Sequence, residues 1–371
     1  MTGAQTKSLI VGNDLRLPKD SIERIRLLED VDSFLMLGQQ ADVENPFILP
    51  AEKAETQILL DEIKEISKND SIEISAYLTG IESISDKDSY FIQVAYMGDR
   101  ENQPRLKACF DFIAHKADNG FLFSSPLVRN TKDWKIKELG HLVMHYQSDV
   151  NENMVDQYIE YLIKYDTKLG VSKKTEYYFC DDCEAMVQQL QLAGIRYHAG
   201  YNGYSWVDIA FGTDEKLIVI QSRRISRQRT IDPHDLFHYR AAVAIPKGKN
   251  HYMVCGGAYV YGGSWRISWE GIKDMFKSRM IYDENTDWLK LYFDRYNFGE
   301  SQREHLLVTQ FINALIIEKV EKKQGFSAVM ELLASGNMYE EREKFFAILN
   351  KVAGINESNF NKKAAELIAN L

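Results

Sequence analysis

The order of elements predicts an α+β protein, and three observations lead there. Helical apolar spacing opens the chain and gives way to a run of short strands. In the middle, strands alternate with single helices. From about residue 267 to the end, good helix formers dominate, punctuated by Gly299, Gly325, Gly336 and Gly354. Residues 1–130 read as an α+β accessory domain, 131–265 as a mixed sheet leading into a helix, and 266–371 as a helical lobe of that same unit.

Each element has its own signal. Residues 19–38 carry Ile22, Ile25, Leu27, Leu28, Val31, Phe34 and Leu35 at helical spacing, and 50–67 carry Ile58, Leu59, Ile63 and Ile66 on one stripe. Strands are expected at 71–78, 90–96, 108–115 and 121–123, the last entered through the turn Asp118-Asn119-Gly120. In element order this part is similar to the cone-shaped nuclear-transport-factor-2-type folds. The polar stretch with Ser124, Ser125, Pro126, Asn130 and Thr131 places a boundary near 130. Beyond it come a strand at 140–147, an amphipathic helix at 151–169 stopped by Gly170, and a strand at 175–180. A helix at 183–192, a hairpin of 208–211 with 216–221, and a helix at 234–244 follow.

Composition narrows the function. The chain has 371 residues, 45% hydrophobic and 27% charged, with only 7 prolines, enough for two packed cores and against long disorder. A net charge of −9 argues against a nucleic-acid partner. The basic run from Arg223 to Arg229 is the exception; it could bind an anion, but reads first as a solvated loop or one paired with local acids. No apolar run is long enough to span a bilayer, and the first residues lack the apolar core of a signal peptide. A cytoplasmic protein and an exported one with its signal removed both fit this start, so localisation stays open. Among the 4 cysteines, Cys180 and Cys183 form a C-x-x-C with no second pair nearby. They read as a buried or disulfide-linked strand end rather than a zinc or redox site.

The chemistry concentrates in His234-Asp235-Leu236-Phe237-His238. Helix positions i and i+4 share a face, so both imidazoles can reach one metal ion. The pattern is one methylene short of H-E-x-x-H, in which the acid is a general base. A plainer reading stands beside it. Asp232 can be an N-cap, Pro233 the first helical residue, and Asp235 a third-position acid reaching back to the cap. His141 and His145, also four apart but in an expected strand, show that the spacing alone is not a site.

A second segment bears on the choice. Cys255-Gly256-Gly257-Ala258-Tyr259-Val260-Tyr261 resembles the Glu-Gly-x-Ala-x-Tyr signature of the peptidase MA-like (gluzincin-type) metallopeptidases, with Gly256 and Ala258 matching. Val260 replaces the family tyrosine, flanked by Tyr259 and Tyr261, and Cys255 replaces the family glutamate. The resemblance spans roughly 140–265 and implies a zincin fold. It implies zinc on His234, His238 and a third ligand, either Cys255 or the later Glu270. Asp235 is the implied base. Tyr259, like Tyr261, reads either as core or cleft packing or as a hydrogen-bond donor to an oxyanion, and Tyr259 is taken as the catalytic candidate.

Both motif carboxylates are altered. Asp235 falls short of a glutamate by about 1 Å, a misplacement that costs on the order of a hundredfold in rate. A thiolate at Cys255 leaves a metal a weaker Lewis acid. The expectation is therefore a degenerate or weakly active metallopeptidase homologue that binds a peptide or protein. An active zinc peptidase using Asp235, and a non-enzymatic binding module with structural histidines, are the alternatives.

Overall fold

The computed structural model describes residues 9–40, 43–68, 74–84, 88–100, 103–147, 150–180, 186–201, 209–212, 216–221, 232–300 and 304–371. The protein is mixed α+β with two mixed sheets. It divides into two compact units, residues 1–151 with 173–229, and residues 152–172 with 230–371. This division differs from cuts near 130 and 265. One helix lying between two strands of the first unit belongs by its contacts to the second, and no break separates 231–265 from the helical lobe.

In the first unit, α1 (Ser21–Gly38) starts where the Asp20 carboxylate accepts from Glu23 N, and α2 is Lys53–Lys68. Of the α1 apolar residues, Leu27, Val31, Phe34 and Leu35 are buried, whereas Ile22 and Ile25 are exposed. The expected α2 stripe of Ile58, Leu59, Ile63 and Ile66 is buried. Strands β1 (Ile10–Val11), β2 (Ile74–Ser83), β3 (Ser89–Arg100), β4 (Gln103–Ala117) and β5 (Gly120–Ser124) lie in that order in one sheet. The β2 to β5 pairings are antiparallel, and β1 joins β2 in parallel. Phe34 stacks on Phe123 at 4.7 Å and meets Phe112 edge-on at 5.2 Å, fixing α1 to this sheet. Gly120 turns the β4–β5 hairpin at φ 138°, and Asp30 accepts from Phe121 N at 2.9 Å.

After α3 (Leu127–Asn130), the strands β6 (Lys135–Leu139) and β7 (Leu142–Tyr146) form a hairpin. Helix α4 (Glu152–Leu169) then leads to β8 (Lys174–Phe179), which is parallel to β7. Helix α5 (Met186–Leu192) precedes β9 (Ile195–His198), which pairs with β4 in the first sheet. The hairpin of β10 (Ile209–Gly212) and β11 (Lys216–Gln221) completes a second sheet, ordered β10-β11-β8-β7-β6. Strands β1, β6 and β9 had no sequence signal above. β1 and β9 are two and four residues long and are recruited by distant partners, which local pattern cannot show. Cys180 is buried at the end of β8; Cys183 and the basic run 223–229 lie outside the described residues.

Between α2 and the second sheet, Lys216 pairs with both Glu55 and Glu176, at 3.0 Å from the latter. His145 stands 3.6 Å from Glu176, and its ring stacks on Tyr178 at 4.3 Å.

The second unit is helical: α4, α6 (Pro233–Ala244), α7 (His251–Gly262), α8 (Trp269–Arg279), α9 (Trp288–Phe293), α10 (Val308–Gln324), α11 (Phe326–Leu333), α12 (Arg342–Ala353) and α13 (Phe360–Ile368). α4 buries Met154, Tyr158, Leu162 and Tyr165, as its spacing predicts, and Gly170 follows it at φ 70°. Arg240 of α6 and Asp166 of α4, both fully buried, form a bidentate pair whose Nη2–Oδ2 distance is 2.8 Å. Breaking such a pair from one side costs about 3–5 kcal/mol, so α4 and α6 are held in one register.

Candidate metal centre

Helix α6 begins as its sequence dictates. The Asp232 carboxylate accepts from His234 N at 3.0 Å, and Pro233 takes the first helical position. His234 and His238 then fall on one face, and their Nε2 atoms are 3.2 Å apart. Two nitrogens each about 2.0–2.1 Å from one tetrahedral ion stand roughly 3.3 Å apart, so the separation suits a shared cation.

The second helix is α7, which starts one turn before the Cys255 segment. Asn250 caps it, accepting from Met253 N at 3.1 Å, while its amide donates to Ser335 Oγ at 2.9 Å. Glycines let α7 approach its neighbours closely. A Cβ on Gly262 would stand 2.7 Å from the Pro233 carbonyl carbon and 2.9 Å from His234 N. One on Gly257 would stand 2.8 Å from the Phe237 ring, and one on Gly256 would strike Asn313 of α10. This close approach brings Cys255 to the histidines. The donor atoms of His234, His238 and Cys255 all lie within 4.8 Å of one another.

The surroundings orient these donors. Gly263 O can only accept, so His234 Nδ1, 2.8 Å away, carries the proton and donates to it. In the neutral ring Nε2 is then left with its lone pair facing His238. Burial, with smaller contributions from His234, His251 and Lys249, holds the His238 pKa well below the usual histidine value, so that ring is neutral at pH 7. Burial pushes the Cys255 thiol up to about 12, against hydrogen bonding from Gln310 and the charges of Lys249 and Arg295. The metal-free thiol is thus protonated, and a cation would have to displace that proton.

Other expected residues fall as follows. Asp235 is exposed on α6. Tyr259 is fully buried, its ring 5.7 Å from that of His234, and its hydroxyl donates to Gln310 Oε1 at 2.6 Å. That donation is already spent inside the fold, which removes the reason to read Tyr259 as an oxyanion donor. Tyr261 likewise donates to Glu321 Oε2 at 2.7 Å. Glu270, the alternative third ligand, is exposed on α8, paired with Lys273 at 2.6 Å, and outside the donor group. Sequence reasoning missed Gln310, the Gly263 carbonyl and His251, whose Nε2 is 3.6 Å from Cys255 Sγ. Of these, only His251 had a signal, its i, i+4 spacing to Cys255.

The donor chemistry fits a zinc-class cation, since two imidazoles and a thiol offer the N and S ligands such a cation prefers. No family model matches the chain, and no curated protein matches it by sequence.

Proposed function

We propose that the second unit is a degenerate gluzincin-like metallopeptidase unit. It holds zinc on His234, His238 and Cys255 and binds a peptide or protein segment without efficient hydrolysis. The observation that carries this reading is the convergence of the three donors within 4.8 Å, from two helices in the order the motifs give. A zinc ion there would supply Lewis acidity to an oxygen ligand only where a coordination position stays open.

The chain's own groups argue for weak chemistry. Asp235 is exposed and one methylene shorter than the usual base, so its carboxylate reaches less far toward a water it would deprotonate. The Tyr259 hydroxyl is engaged with Gln310. Cys255 as thiolate would place more charge on the metal than a carboxylate does.

Elemental analysis of chain purified without added metal tests the site. We expect about one zinc per chain, lowered strongly in His234→Ala and in His238→Ala. Activity is tested by restoring the motif in the double variant Asp235→Glu, Cys255→Glu. Hydrolysis of a peptide library should be absent or slight before the change and rise after it. Robust chelator-sensitive hydrolysis by the unmodified chain would overturn the degenerate reading and make Asp235 a working base.

A further inference from the structure

We infer that His251 is a fourth protein donor to the cation held by His234, His238 and Cys255. The centre is then a closed His3Cys site for a thiophilic divalent cation, with no position left for a reacting water. This deepens the proposed function and rests on its metal-centre reading.

Two like pairs face each other across α6 and α7. His234 and His238 are i and i+4 on α6; His251 and Cys255 are i and i+4 on α7. The second pair is spaced as a metal would have it. With Zn–N at about 2.0–2.1 Å and Zn–S at about 2.3 Å, a tetrahedral N···S edge is roughly 3.5–3.6 Å. His251 Nε2 is 3.6 Å from Cys255 Sγ. The His251 ring also neighbours that of His238, with centroids 5.4 Å apart. Its position on α7 is fixed by the buried Asn250 cap and that cap's tie to Ser335. His251 is exposed and lies outside the 4.8 Å donor group, touching it only at Cys255, so ligation requires its ring to turn toward the two histidines.

The consequence separates two kinds of zinc site. Catalytic sites keep three protein ligands and an open place, whereas four protein ligands make a structural site. A third imidazole as fourth ligand explains how a motif of this kind can lose its carboxylate ligand and still retain metal. The competing account is a plain hydrogen bond, in which the Cys255 thiol donates to His251 and no metal is involved.

Metal-stripped full-length chain, titrated with Co2+ and then Zn2+, decides between them. The unmodified chain should give a tetrahedral cobalt spectrum with thiolate charge transfer, and added azide should leave it unchanged. His251→Ala should bind at least about tenfold more weakly, and azide should now shift its spectrum by entering the vacated place. His251→Cys should restore affinity and strengthen the charge-transfer band, which also guards against misfolding of the alanine variant. Should His251→Ala bind cobalt as tightly as the unmodified chain, with azide entering both, the closed site is overturned while the three-donor centre stands. Should the unmodified chain bind neither Co2+ nor Zn2+, the metal centre itself falls, and the inference with it.

Discussion

In the first unit Lys216 lies between Glu55 and Glu176, with His145 beside Glu176; in the second, His234, His238 and Cys255 bring together only electron-pair donors. Both clusters are largely buried, and both join a helix to other elements. The first contains its own counter-charges. Burial raises the Glu176 pKa, but His145, Lys174 and Lys216 outweigh it and hold the carboxyl well below the usual range, and the Lys216 pKa is raised in turn. The second has no counter-charge among its donors, and burial keeps its histidine neutral and its thiol protonated. A cluster that neutralises itself is sufficient as structure. A cluster of like donors gains most from a cation it does not contain.

The sharpest way to break this contrast is to remove one member from each cluster in chelator. Lys216→Met leaves two carboxylates facing each other, and urea unfolding should show a loss of about 3–5 kcal/mol. His238→Ala removes only a neutral ring and should cost about 1–2 kcal/mol. Equal losses would mean that the histidine cluster is structural in the same sense as the ion cluster.

Helix approach offers a second test. Gly262→Ala puts a methyl group against the Pro233 backbone at the start of α6. We expect a stability loss of about 1–3 kcal/mol, together with weaker zinc binding measured by chelator competition. Gly354→Ala, at φ 68° with open space around its Cβ, is the control; it should cost stability through backbone strain alone and leave zinc affinity untouched. If both variants bind zinc equally well, close approach of α7 does not set the site.

Proton release is a smaller signal. At pH near 8 His238 is already neutral and Cys255 is protonated. Zinc uptake should therefore release about one proton per chain, seen as a buffer-dependent enthalpy in calorimetry, and none in Cys255→Ser.

The smallest effect separates the clusters by pH. The folded His238 pKa lies below its unfolded value of 6.5, so its contribution is full above that pH and is lost as pH falls toward the folded value. The Glu176 contribution is full above its unfolded value of 4.5 and fades only below it. Hydrogen exchange on metal-free chain, corrected for intrinsic rates, should show α6 loosening between about pH 7.5 and 5.5 while β8 keeps its protection. Parallel loosening of both would contradict the assignment.

What the sequence determined by itself is what neighbouring residues settle among themselves. The Asp232 cap, Pro233 and the i, i+4 histidines fix one half of the centre through the geometry of a single helix. The stripes of α2 and α4 and the β10–β11 hairpin were legible for the same reason. Tertiary structure decided the rest. It placed Cys255 rather than Glu270 beside the two histidines, because Gly257 and Gly262 let α7 close on α6 whereas Glu270 is exposed on α8. It spent the Tyr259 hydroxyl on Gln310 and oriented His234 with a carbonyl from the end of α7. It assigned α4 to the second unit through the Asp166–Arg240 pair, against its place in the chain between β7 and β8. Each of these depends on groups far apart in sequence, whose meeting is set by packing and by pairing of buried charge, and no local pattern carries that information.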